Sequence, residues 1–149
     1  MEADRTKFPA MQIDEILVWK RWLQLHQGSY DSFQYDVLVG PGVDPGPAIA
    51  EPYRSNAIRL SRARIDAVGW QSGVPTIFEV ERYSKARSIG QLLTYRALWE
   101  ADNPSAAAPA SALVDAGFDP NITPALEQHA IDHYTVPVDF SSLAPARLR

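Results

Sequence analysis

Asp66 lies in the run Arg64-Ile65-Asp66-Ala67-Val68, and Glu79 and Glu81 lie in Ile77-Phe78-Glu79-Val80-Glu81-Arg82. Both runs read as β-strands. Strand side chains alternate, so Glu79 and Glu81 project from one face while Val80 points into the core. The link Gln71-Ser72-Gly73 is short enough for a hairpin. A register that brings Asp66 alongside then gathers three carboxylates. Such a cluster is costly in water-accessible space unless a divalent cation or arginines neutralise it, and oxygen-only ligation suits Mg²⁺ or Mn²⁺. An ion of that kind orients a water and stabilises charge developing on a phosphodiester.

Other chemistry is less well provided for. The chain has no cysteine, which excludes disulfides, thiolate metal sites and a cysteine nucleophile. His129 and His133 are four apart, but Ile131 to Val136 reads as a strand and no acid triad accompanies them; surface or capping roles account for them. His26 falls near a helix C-terminus, where the dipole favours it. Gly40-Pro41-Gly42 is a turn, since no helix start with a third glycine follows. Trp19, Trp22, Trp70 and Trp99 fall at core periodicity rather than forming a stacking platform. No G-x-S-x-G nucleophile elbow is present.

The elements that must position the acids follow from periodicity. Ala10 to about Gln27 carries Ile13, Ile16, Leu17, Trp22 and Leu23 at helical spacing, with Pro9 before it and Gly28 as its stop. Tyr35 to Val39 is a buried strand, and Gly40 to Asn56, rich in Pro and Gly, is a long loop of a kind that is functional, partner-bound or mobile. Ala63 to Trp70 and Val74 to Glu81 form the hairpin. A second amphipathic helix runs from about Ala86 to Ala101 and stops at Asn103-Pro104. After the linker Asp102 to Ala110 come a short strand at Ala112-Leu113-Val114, a short helix from Ile122 to Ala130 and a last strand from Ile131 to Val136. A strand meander followed by a helical crossover predicts an α/β sandwich with a mixed sheet. The length suits one domain over residues 1–149, with a core at about 10–137 and a tail at 138–149 that is disordered or docked on a partner.

Net charge is −4, short of the basicity of a typical nucleic-acid binder. The average hides an asymmetry: between Arg54 and Arg96 eight basic residues face three acids, so this third of the chain can meet phosphates. No apolar run is long enough to span a membrane and the first residues lack a signal core, so the chain is expected to be soluble, cytoplasmic or part of a particle assembled inside a cell.

Taken together, the order and spacing of these residues resemble the PD-(D/E)XK nuclease superfamily, in particular its RecB-like and small phage-encoded members. The likeness runs over about residues 10–137. It implies a three-layer restriction-endonuclease-like fold, a central mixed β-sheet flanked by helices. It also implies Asp66 and Glu79 as metal ligands, with the Val80 carbonyl as a third. Gln91-Leu92-Leu93-Thr94-Tyr95 is similar to the Q-x-x-x-Y motif of RecB-like members, in which Gln91 and Tyr95 would support the site. Glu15 would be an additional metal-facing acid. The chain departs from the family at Glu81, where the catalytic lysine is usual. Some restriction enzymes resembling the family work with E-x-E, and Lys85 would then supply a displaced ammonium group, or Arg82 or Arg87 would compensate the charge. Two functions follow. One is an Mg²⁺- or Mn²⁺-dependent phosphodiesterase acting on nucleic acid, DNA rather than RNA. The other is a catalytically degenerate, non-enzymatic member that docks on virion proteins at a phage head-to-tail junction. Homo-oligomer formation is open in both.

Overall fold

The structure, a computed structural model, describes residues 2–5 and 7–143. Helix α1 (Ile13–His26) is followed by strand β1 (Ser32–Val39), helix α2 (Tyr53–Leu60), the hairpin β2 (Ala63–Gln71) and β3 (Val74–Val80), and helix α3 (Ala86–Asp102). Strand β4 (Ala110–Asp115), helix α4 (Thr123–Gln128) and strand β5 (Ile131–Thr135) complete the order. One mixed sheet runs β1-β2-β3-β4-β5, antiparallel through the meander β1-β2-β3 and parallel across β3-β4-β5.

Alternation along the central strands divides the core. Phe78 and Val80 of β3 and Ala112 and Val114 of β4 pack with Val18, Trp19, Trp22 and Leu23 of α1. Ile77 and Leu113 pack on the other side with Ile89, Leu92 and Trp99 of α3 and Leu126 of α4. Helices therefore cover both faces, and the expected three-layer α/β architecture is present. The α1 side is aromatic: Trp19 and Trp22 stack at 4.9 Å, and the Phe78 ring stands edge-on to both, at 5.1 and 4.9 Å. Trp19, Trp22 and Trp99 are buried, as core periodicity predicts.

The structure corrects two segments. The stretch Gly40 to Asn56 is not wholly a loop, because Tyr53–Leu60 is helical. None of its residues is buried, so no apolar stripe advertised the helix. The loop before it is held by its own chain. Asp44 makes a two-pronged pair with Arg54 (2.9 and 2.6 Å), Ser61 Oγ accepts from Val43 N at 2.6 Å, and Asp102 accepts from Gly40 N at 3.0 Å. Gly42 (φ 69°) is required there, since a Cβ would lie 2.2 Å from the Ile58 carbonyl oxygen. The start of the tail also has an internal reason to fold: Val138 and Phe140 pack on the α1 side, and the Arg82 guanidinium lies 4.1 Å over the Phe140 ring. Residues 144–149 of the tail lie outside those described.

Two glycines give opposite expectations for stability. A Cβ on Gly69 would meet Tyr30, Phe33 and Phe78 rings at 2.8 to 3.0 Å, so Gly69→Ala should cost about 1–3 kcal/mol by overpacking. Gly90 in α3 has open space around it, so Gly90→Ala should stabilise by about 0.5–1 kcal/mol. Urea unfolding of the two variants checks both signs.

Candidate active site

Between β2 and β3 the paired register ends at Ala67↔Phe78. Just beyond it the inside-outside alternation of β2 breaks: Ala67 belongs to the α1-side cluster, while Ile65 joins Val68 on the α3 side. Across on β1, Asp36 takes a positive φ of 53° at the matching position between Tyr35↔Ala67 and Val37↔Ile65. The kink opens the sheet, and Asp66 fills the opening. Its Oδ2 accepts the Val80 N–H at 2.9 Å, one step past the last rung between the strands.

A cleft of about 620 Å³ lies over this point, lined by Gln12, Asp14 and Glu15 at the start of α1, by Arg64, Asp66, Glu79, Glu81, Arg82 and Tyr83, and by Arg87, Gln91 and Tyr95 of α3. Asp66 and Glu79 thus face one space, with Glu81 at its side, while Val80 between the two glutamates is buried on the α1 side. Gln91 and Tyr95, one helical turn apart, cover the cleft from α3, and Gln91 donates to the Tyr95 hydroxyl. Glu15 lines the same cleft and also accepts the Gln12 N–H at 2.8 Å, fixing the start of α1. Lys85 does not line it: it precedes α3, exposed, with its Nζ 6.0 Å from the Tyr83 ring. The cations in the cleft are Arg64, Arg82 and Arg87. Arg64, Asp14 and Tyr83 were not singled out from sequence; Arg64, two residues before Asp66 on a strand, carried the one available signal.

Among the described residues no three His, Asp or Glu side chains are gathered closely enough to hold an ion unaided. The expected meeting of three carboxylates is therefore modified. Glu81 shares a hydrogen bond with Glu79 and feels the positive charge of Arg87. Five carboxylates face three guanidiniums in the cleft, and the burial of the central two is costly. Burial pushes Asp66 up to about 8 against the Val80 N–H, which lowers it, and the charges of Glu15, Glu81 and Asp36 add to the rise. Burial likewise pushes Glu79 up to about 10, followed by the negative charges of Asp66 and Glu81. Glu81 and Glu15 are raised by burial as well, Glu81 less so for its partners Glu79 and Arg87. The Glu79 Oε2 and the Gln91 Oε1 are buried without a hydrogen-bond donor.

These shifts fix a sign. Asp66 and Glu79 hold protons in the folded chain up to about pH 8 and 10, whereas the unfolded chain releases them near pH 4. The folded state then binds more protons, so stability is full below about pH 4 and falls as pH rises through 8 and 10. The melting temperature of the metal-free protein should fall between pH 5 and 9. Glu79→Gln should flatten that slope and melt above the parent at pH 9, as followed by circular dichroism.

No protein family matches the chain, and no curated protein matches it either. Two solved structures are similar in fold. One is described as a repair endonuclease from Pyrococcus abyssi, 14% identical, with a TM-score of 0.45 over 52% of this chain and 34% of its own. The other is described as an EndoMS–dsDNA2 complex, 11% identical, with a TM-score of 0.50 over 91% of this chain and 50% of its own. The chain thus spans a third to a half of the length of these neighbours. With helices on both faces of a mixed sheet, a β2–β3 hairpin bearing the acids and the EndoMS–dsDNA2 structure aligned over 91% of this chain, the chain has the restriction-endonuclease-like fold expected from its sequence.

Proposed function

We propose that the chain is a divalent-metal-dependent phosphodiesterase acting on DNA. The observation that carries this reading is the Glu79 carboxylate, buried beside Asp66 with one oxygen lacking any donor, in a cleft where acids outnumber arginines. A hard cation supplies what those oxygens lack. The donor set fits Mg²⁺ or Mn²⁺: two carboxylates, Asp66 and Glu79, and the Val80 carbonyl, with waters completing the shell, as is usual for Mg²⁺. The absence of a three-acid cage is compatible with that demand. Such an ion, when bound, polarises a water and offsets charge building on the phosphate.

The chain's own groups supply the rest. Arg64, Arg82 and Arg87 bring positive charge to a DNA phosphate entering the cleft. Glu81 would take a proton from the attacking water as the water's oxygen bonds to phosphorus and the phosphorus–oxygen ester bond breaks, the leaving oxygen taking a proton from a solvent water; Arg87 favours the ionised, proton-accepting form of Glu81. Gln91 and Tyr95, hydrogen-bonded to each other, line the same cleft as Asp66 and Glu79 from the α3 side and would support the two acids there. The neighbour in complex with double-stranded DNA supports DNA as the substrate class. The catalytically degenerate reading, with docking on phage proteins, drew on the Pro/Gly loop and the tail, and the internal contacts of both weaken its motive.

With plasmid and linear DNA, Mn²⁺ should support cleavage by the full chain, and Asp66→Asn should abolish it. Gln91→Ala should cost about 10–100-fold, as expected for a residue that orients the ligands. Metal should also raise stability by about 2.7 kcal/mol at a hundredfold excess over its Kd, an effect reduced in Asp66→Asn. A protein that binds no metal in calorimetry and leaves single- and double-stranded DNA and RNA intact would remove the enzyme reading.

A further inference from the structure

The turn leaving β3 reads Arg82-Tyr83-Ser84-Lys85-Ala86-Arg87, and it is exposed except at Ser84. Its backbone is held firmly. Ser84 N donates to the Gly117 carbonyl and Asp119 N to the Ser84 carbonyl, both at 2.9 Å, while Ala116 N donates to the Arg82 carbonyl at 3.2 Å. Ser84, wholly buried, is the anchor. Between these fixed points the Tyr83 ring lines the mouth of the cleft and remains 51% exposed. It rests on Gly117, where even a Cβ would come within 3.2 Å of its Cδ2. Nothing in core packing demands a large aromatic here, and three cations flank it.

We propose that Tyr83 is a stacking platform for an unpaired base of the DNA strand that enters the cleft, with Lys85 contacting the adjoining phosphate. The inference rests on the nuclease reading and sharpens it: the preferred substrate has a single-stranded or frayed segment at the scissile site. Several features converge on it. An aromatic face takes any base without sequence preference, and a basic surface alongside tracks the backbone. A base inside an intact duplex keeps both faces covered by its neighbours, so an exposed ring selects for an unstacked nucleotide. The rigid turn holds the ring where it is needed, so little ordering is left to be done on binding. The Lys85 ammonium lies over the Tyr83 ring, 6.0 Å from its centroid, on a flexible exposed side chain that an arriving base can displace towards the adjoining phosphate. Tyr83 acts here on substrate choice and takes no part in the proton transfer.

The test uses the full chain carrying Glu79→Gln, which blocks cleavage, with Ca²⁺ present and fluorescein-labelled oligo-dT or a blunt DNA hairpin as probes in anisotropy titrations. Tyr83→Ala should weaken oligo-dT binding by about tenfold while changing hairpin binding by less than about twofold. Tyr83→Phe should retain oligo-dT affinity, because stacking needs the ring and not the hydroxyl. Lys85→Ala should weaken both probes and lower the slope of log affinity against log salt by about 1. Melting curves serve as the fold control, and the exposed ring should be replaceable without loss of stability. Unchanged oligo-dT binding by Tyr83→Ala, or an equal loss on both probes, overturns the stacking role while the nuclease reading stands. Failure of both the unsubstituted chain and the Glu79→Gln chain to bind either probe overturns the nuclease reading itself, and this inference with it.

Discussion

Asp66 and Glu79 are buried side by side where the sheet comes apart, and most of the structure can be understood as what makes that placement tolerable. A buried carboxylate needs donors or a partner charge. Asp66 obtains the Val80 N–H because β2 and β3 cease pairing after Ala67↔Phe78, which frees the peptide group. Glu79 obtains much less: its Oε2 is buried with no N–H or hydroxyl donor, and its neighbour in the cleft is another acid, Glu81. The kink at Asp36 and Asp66 is thus part of the site, since a regular ladder would have used the Val80 amide between the strands.

That local cost is offset by the opposite face. Phe78 and Val80 flank Glu79 in sequence and point the other way, into the cluster of Trp19, Trp22 and Val114. Closely packed aromatic rings bury large areas and meet edge to face, so β3 has little freedom to shift. On the cleft side Leu92 and Tyr95 press α3 against the sheet, and Gln91 follows as a consequence of helical spacing. The two acids are therefore mounted on adjacent central strands, and β3, which carries Glu79, is buried at six of its seven positions.

Sequence made most of this frame visible because each frame element buries a face. Strand-like runs marked β2 and β3, the Ser72-Gly73 turn joined them, and the stripe of α1 held at Trp22 and Leu23, whereas Ile13 is exposed and Val18 and Trp19 complete the buried face. Helix α2 stayed invisible because a helix that buries nothing leaves no periodicity, and the restraints on its loop, such as Asp44 with Arg54, are polar pairs at separations that no pattern marks. In the cleft, the acids were legible from strand alternation, and the Gln91–Tyr95 pair only from its resemblance to a known motif. Arg64 was less so, since a strand arginine is as often solvated as it is turned to a cleft, and its tie to Asp36 depends on the β1–β2 register. Lys85 was misplaced as a displaced ammonium group for a reason of geometry: four residues on from Glu81 the chain has left the strand and is entering α3, so the side chain no longer follows the strand's alternation.

An acid at position 81 has a further consequence for charge. A lysine there would give the cleft a cation on the strand itself, whereas Glu81 adds a carboxylate and leaves the balancing charge to groups off the strand. Arg87 reaches in from the first turns of α3, Arg82 from the turn, and Arg64 from β2. Cations so distributed neutralise Glu79 and Asp66 less completely than one lysine at close range, because the interaction falls with distance and is screened by solvent at the cleft mouth. Burial first, and then the negative charges of Asp66 and Glu81, keep Glu79 strongly raised despite the three guanidiniums that line the cleft. With an acid at position 81, Glu79 has no cation on its own strand, and the positive charge of the cleft lies outward, on Arg64, Arg82 and Arg87.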